Sequence, residues 1–286
     1  MSVIVILKLM LVISIALMLF ALALRARVAD LGYLFVHWRL GLGAFAAMFV
    51  VVPVVAILLA RTFDLNPAVK VALVAIAFSP LPPILPGKQI KAGGEACYVT
   101  GLLFAATLAS IVVAPFGIAF AASIFDVEAA ITPMAVAMPL IVTVLAPLLA
   151  GLALSPMFGT AVSQLSPILS KIGTALLVLA VLGLVVMMLP GIRDVIGQGT
   201  LVVLCITIAA GMVAGYFFGG PERGDKAALS LAAATRHPGV AVAIATQTFP
   251  AASLAPAAIV LSLVLSTVLC IPYLRYMGKQ PRKAAA

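Results

Sequence analysis

Four consecutive residues late in the chain, Arg236, His237, Pro238 and Gly239, interrupt an otherwise apolar stretch that reads KAALSLAAATRHPGVAVAIATQTFP. With roughly ten residues on either side, the arginine falls at the depth where a guanidinium costs at least ~2.5–3.5 kcal/mol to insert into lipid. It must face an interior and find a partner. No acid is available: Asp64, Asp126, Glu128 and Asp194 fall in connectors at one end of the apolar segments, and Asp30, Glu95, Glu222 and Asp225 at or near the other. Two roles are open to Arg236. It binds an anionic substrate, or it is satisfied by carbonyls released where a helix unwinds. Pro238 suits the first turn of a following helix and Gly239 permits close backbone approach. A helix that starts there offers free N–H groups and a positive dipole end to an anion. His237 serves either as a gate or proton relay, because its reference pKa is near neutrality, or as a neutral, hydrogen-bonded residue at the break.

A second group of residues repeats the pattern. PAVKVALVAIAFSPLPPILPGKQIK carries Pro80, Pro82, Pro83 and Pro86 near its middle. A half-helix starting near Pro82 or Pro83 contributes the same polarity as the one after Pro238. Lys88 either snorkels outward with Lys91 or reaches the substrate. The candidate substrate-binding set is therefore Arg236, His237, Pro238, Gly239, Pro82, Pro83 and Lys88, and its chemistry suits a carboxylate or oxyanion. Thr246, Gln247 and Thr248 line an exit path or are ordinary polar residues at a segment end. Ser163, Gln164 and Ser166 fall in a connector and carry little information.

These residues must be held by membrane-spanning helices. The chain has 286 residues, 65% hydrophobic and only 9% charged, with mean hydropathy +1.32. A soluble domain carries about a quarter charged residues, so this exterior faces lipid. A cytosolic enzyme, a nucleic-acid-binding module and a secreted disulfide scaffold are excluded, and Cys97, Cys205 and Cys270 lie inside apolar stretches without ligand spacing. A spanning helix needs about 20 apolar residues. Nine spans are predicted, near 3–24, 38–60, 67–91, 96–122, 132–154, 167–190, 199–219, 227–250 and 255–275. The longest connectors, 25–37 and 155–166, are too short to fold alone, so residues 1–286 form one all-α integral membrane domain that ends in a polar tail, 278–286. Arg25, Arg27, Arg39, Lys88, Lys91, Lys171, Arg223, Lys226, Arg275, Lys279, Arg282 and Lys283 fall on one side, against Lys8, Arg61, Lys70 and Arg193 on the other. The positive-inside rule then predicts a plasma-membrane protein with its N-terminus outside and its C-terminus in the cytoplasm. The net charge of +9 becomes a topology signal, not a sign of nucleic-acid binding.

Proline removes a backbone donor and clashes with the preceding turn, so the third and eighth spans should each break into two half-helices. Irregular backbone at bilayer depth is tolerated only inside protein or beside a water-filled cavity. With the fifth span set aside, spans 1–4 and 6–9 each carry the break in their third member. That predicts an inverted repeat, about 3–122 and 167–277, and paired breaks of this kind point to a transporter's binding site. An alternating-access carrier of an organic or inorganic anion is the function expected, with no cofactor. A ligand-binding receptor or scaffold descended from a transporter is the main alternative. An enzyme lacks a nucleophile motif or metal-ligand spacing, and a channel lacks a charged ring or filter.

DLNPAVKVALVAIAFSP, APFGIAF and DKAALSLAAATRHPGVAVAIA together resemble the bile acid:sodium symporter superfamily, in its bacterial sodium-dependent-transporter-like branch and nine-span form. The resemblance implies a panel domain, a core domain and two broken helices that cross at the substrate site. It also implies sodium ligands, and here the sequence departs from the pattern. A glutamate and a glutamine of the second crossover are replaced by Ala232 and Arg236, and a serine–asparagine pair of the first by Leu85 and Pro86. Two hydroxyl ligands are replaced by Val99 and Leu103, and a further glutamine by Met48. Sodium coupling is therefore doubtful, and Arg236 is expected to supply permanently the charge that bound sodium supplies elsewhere. A genuinely sodium-coupled symporter that uses backbone ligands stays open beside it.

Overall fold

In a computed structural model, residues 3–125 and 133–278 are described; position 132, Asp126, Glu128 and residues 279–286 lie outside the described residues. All regular structure among the described residues is helical. In chain order the elements are α1 (Val3–Ala23), α2 (Val28–Leu31), α3 (Tyr33–Val36), α4 (Trp38–Phe45), a π-helical turn (Ala46–Val51), α5 (Val52–Thr62), α6 (Pro67–Phe78), α7 (Leu85–Lys91) and α8 (Ala96–Ile124). There follow α9 (Pro133–Leu140), a second π turn (Ile141–Leu145), α10 (Ala146–Phe158), a 3-10 turn (Gly159–Ala161), α11 (Val162–Val195), α12 (Thr200–Phe218), α13 (Arg223–Ala234), α14 (Pro238–Thr248) and α15 (Ala255–Gly278). Helices satisfy every backbone group internally, which is what a lipid environment demands. Phe116, Val186 and Phe217 are each more than 70% exposed, as befits a lipid-facing surface.

Seven helices among the described residues are long and apolar enough to cross a membrane, where the sequence predicts nine spans. The difference has two physical sources. The third predicted span yields only the twelve-residue α6 before it breaks. The fifth and sixth run into one another, because the connector expected at 155–166 is itself helical apart from the turn at Gly159, whose φ of +47° lets the chain change direction. Of Ser163, Gln164 and Ser166, the last does carry structural information: Ser166 Oγ donates to the Ala21 carbonyl at 2.8 Å, and nearby Ser155 Oγ donates to that of Leu24 at 2.7 Å. These bonds tie α11 and α10 to α1.

Both predicted breaks are present. α6 stops at Phe78 and helix resumes only at Leu85; α13 stops at Ala234 and α14 starts at Pro238. The second half of the first pair begins at Leu85 rather than at Pro82 or Pro83. Residues that precede prolines are pushed out of the α region, so the run Ser79–Pro83 stays unwound until the Leu85 N–H bonds the Pro82 carbonyl at 3.0 Å.

Helix α1 packs against α10 and α11, while α6, α12, α13, α14 and α15 pack among themselves, and α11 meets α15 between the two groups. The α12–α13 contact is a close one. Gly211, Gly215 and Gly219 recur every fourth residue on one face of α12, so no side chain separates the helices. A Cβ at Gly215 would lie 2.3 Å from Ser230 Cα, and one at Gly211 2.5 Å from the Ala233 carbonyl oxygen. This stripe presses α13, and with it the unwound residues that follow, against a fixed neighbour.

Candidate functional site

The two unwound stretches touch. The His237 N–H donates to the Pro80 carbonyl at 2.8 Å. Two residues earlier the backbone is extended at Thr235, which turns Arg236 toward α5 and α6. Arg236 is only 6% exposed. Its Nη1 donates to the Ser79 carbonyl at 3.0 Å, its Nη2 donates to the Met48 carbonyl, and its guanidinium carbon lies 5.6 Å from the Phe49 ring centroid.

Both acceptors exist for a reason written in the chain. Ser79 caps the C-terminal end of α6, where carbonyls lack helical donors and the dipole is negative. Met48 lies in the first π turn, where the Val52 N–H reaches back five residues to the Ala47 carbonyl. The next N–H would serve Met48, but residue 53 is proline and has none. The Met48 carbonyl is therefore orphaned, and the arginine fills the gap. Two charge-assisted bonds at about 1.5–3 kcal/mol each match or exceed the insertion cost of ~2.5–3.5 kcal/mol. The two terminal nitrogens are thus satisfied by backbone, while Nε is buried with no partner among the described residues.

The remaining candidates gather elsewhere. Pro82, Pro83, Lys88, His237 and Pro238 border a cavity of about 70 Å³. His237, Pro238 and Gly239 also border a much larger one of about 530 Å³, between α1 and α11 on one side and α14 and α15 on the other. Its walls are mostly aliphatic, with Thr143, Thr246, Gln247 and Ser253 as polar members beside His237. Arg236 lines neither; it borders a separate space of about 20 Å³ toward α5, α6 and α12. Thr248 is buried away from these cavities.

At the junction of the two cavities the His237 ring caps α14, with Nδ1 accepting the Val240 N–H at 3.3 Å. That bond places the ring proton on Nε2. Nε2 is buried with no partner among the described residues. The α7 end, expected to supply a second positive dipole, is a helix of seven residues with Pro86 in its first turn, too short to act as one.

The positions at which the resemblance implies sodium ligands do not suit that ion. Ala232, Leu85, Val99, Leu103 and Met48 are each at most 2% exposed and pack in the apolar core, with Pro86 buried beside them. None has a side-chain oxygen, and the freed Ser79 and Met48 carbonyls bond the guanidinium. Two of these positions, Met48 and Arg236, are joined by a hydrogen bond. Sequence reasoning passed over Pro53, although a proline in the middle of the predicted span 38–60 was the available signal; it took residue 48 for its side chain, when its carbonyl is what matters.

The family described as the sodium bile acid symporter family matches residues 12–194. No curated protein gives a match.

Proposed function

The chain belongs to the sodium bile acid symporter family, a family of transporters rather than enzymes, and from that premise we propose that it carries an organic anion across the membrane by alternating access without sodium coupling. The observation that carries this reading is the Arg236 guanidinium bonded to the Ser79 and Met48 carbonyls, among residues that offer sodium no side-chain oxygen. A fixed cation there supplies permanently the positive charge that would otherwise arrive with an ion.

The substrate end of the reading rests on the larger cavity. Its aliphatic walls favour a substrate with an apolar body, and its floor offers the His237 Nε2–H and the N-terminal turn of α14 at Gly239 to one negative end group. Lys88 adds positive charge beyond the crossing, in the smaller cavity. Under the orientation set by the basic residues, the large cavity opens outward and the small one points to the cytoplasm of a plasma-membrane protein. Nine spans, an inverted repeat and a rocking of the core against a panel that contains α1 and α11 complete the proposal.

The test is a thermal-shift screen of organic and inorganic anions on detergent-purified protein, repeated in sodium and in potassium. A ligand that binds only the folded form raises apparent stability by mass action, so an organic anion should give the same shift in either cation. Sodium-dependent uptake into reconstituted vesicles that persists after Arg236→Ala would sink the reading.

A further inference from the structure

Away from the crossing, near the predicted cytoplasmic end, three buried polar atoms lack hydrogen-bond partners among the described residues: Asp225 Oδ1, Gln89 Oε1 and the Tyr98 hydroxyl. Tyr98 and Gln89 are fully buried and Asp225 is 3% exposed. They come from three elements that the backbone brings close. Gly224 on α13 lies against the loop between α7 and α8, where a Cβ would sit 2.0 Å from the Gly93 carbonyl oxygen. The Asp225 carboxylate bonds the Glu95 backbone and interacts electrostatically with Tyr98 and Tyr33. Gln89 Nε2 donates to the Ala228 carbonyl at 2.7 Å, one turn along the same face of α13.

Among the described residues no cation pairs with this carboxylate: Arg223 lies over the Tyr276 ring and Lys226 over that of Tyr216. The charged groups that act on it, Glu95 and Glu222, are both acidic. Asp225 Oδ1 as a carboxylate and Gln89 Oε1 can only accept, and the Tyr98 hydroxyl can donate once. Burial beside acids favours the neutral carboxylic acid, while the α13 N-terminus and the Glu95 N–H favour the anion. Opposed influences of this kind leave a group poised to exchange a proton.

The position matters as much as the chemistry. Tyr33 belongs to the connector that links α1 to α4, and it docks on α8 with its ring 6.4 Å from that of Tyr98. Gly101 permits the docking: a Cβ there would lie 2.9 Å from the Asp30 carbonyl oxygen. Any movement of α1 and α11 against the other helices must flex this connector, which covers the Asp225 group.

We propose that Asp225 is a proton-binding site of this carrier, taking one proton from cytoplasmic water to become a carboxylic acid and returning it when the Tyr33 connector lifts from α8. Proton binding stands on the cluster itself; its coupling to flux rests on the transport reading above.

Difference infrared spectroscopy of the reconstituted protein, titrated with acid, uses the proton itself as the probe. Among the protonated-carboxyl bands of the chain's acids, one component should be absent in Asp225→Asn, shifted in frequency in Asp225→Glu and retained in Glu222→Gln and Glu95→Gln. The glutamate variant keeps the test decisive should the asparagine variant misfold. A band unchanged in both Asp225 variants overturns the site. Where an anion is transported, a pH-sensitive dye inside the vesicles should report proton movement in the native protein and its loss in Asp225→Asn. Anion flux without proton movement overturns the coupling and spares the transport reading. The carboxyl band with no flux for any anion upholds the site and counts against that reading.

Discussion

Arg236 shows how one buried charge is made tolerable. The side chain spends its two terminal nitrogens on carbonyls that have no other donor, Ser79 at a helix end and Met48 beside a proline. Arg236→Ala leaves both carbonyls unpaired at about 1–3 kcal/mol each, partly offset by relief from burying a charge. Net destabilisation is expected in thermal melts of the purified protein. Arg236→Gln should recover part of the loss by keeping one donor group. Arg236→Lys should recover less, because an ammonium is a compact point charge and lacks the fork that reaches two acceptors at once. Equal melting of native protein and the alanine variant would show that the two bonds contribute nothing. His237 is held differently: its backbone N–H joins the breaks, one ring nitrogen caps α14, and the other is buried without a partner among the described residues.

Among the helices, the two broken pairs were legible because proline acts locally, through a missing donor and a steric clash. The site of the restart was less so: a cluster of prolines shifts it from Pro82 to Leu85, and only the geometry of the turn shows by how much. The π turn at Ala46–Val51 was missed, since a proline inside a helix can kink it, break it or widen one turn. Pro53→Ala returns an N–H to residue 53 and so gives the Met48 carbonyl a helical donor. The arginine then loses its exclusive claim on that oxygen. A double-mutant cycle of Pro53→Ala with Arg236→Ala should yield a coupling energy of about 0.5–3 kcal/mol in denaturation experiments. Additive effects would separate the proline from the arginine.

For the whole molecule, the cavities on the two sides of His237 are unequal, about 530 and 70 Å³, which is what the proposed carrier would show when open on the side of the larger one. With Cys97, Cys205 and Cys270 changed to alanine, Gln247→Cys should react with a membrane-impermeant maleimide added outside intact cells, and Lys88→Cys should not. The reverse pattern would invert the orientation read from the basic residues. By itself the sequence determined that the chain lives in lipid, that it is helical, and where two helices must break, because hydropathy and proline chemistry act over one turn or one span. Only the tertiary structure decided which way Arg236 points. Its long side chain can reach a ligand or a neighbouring backbone, and the choice falls to carbonyls set free in α6 and in the π turn before α5, segments far from it in sequence. The same holds for Asp225. It reads as an ordinary acid at a helix start until packing buries it near Gln89 and Tyr98, with no cation partner among the described residues.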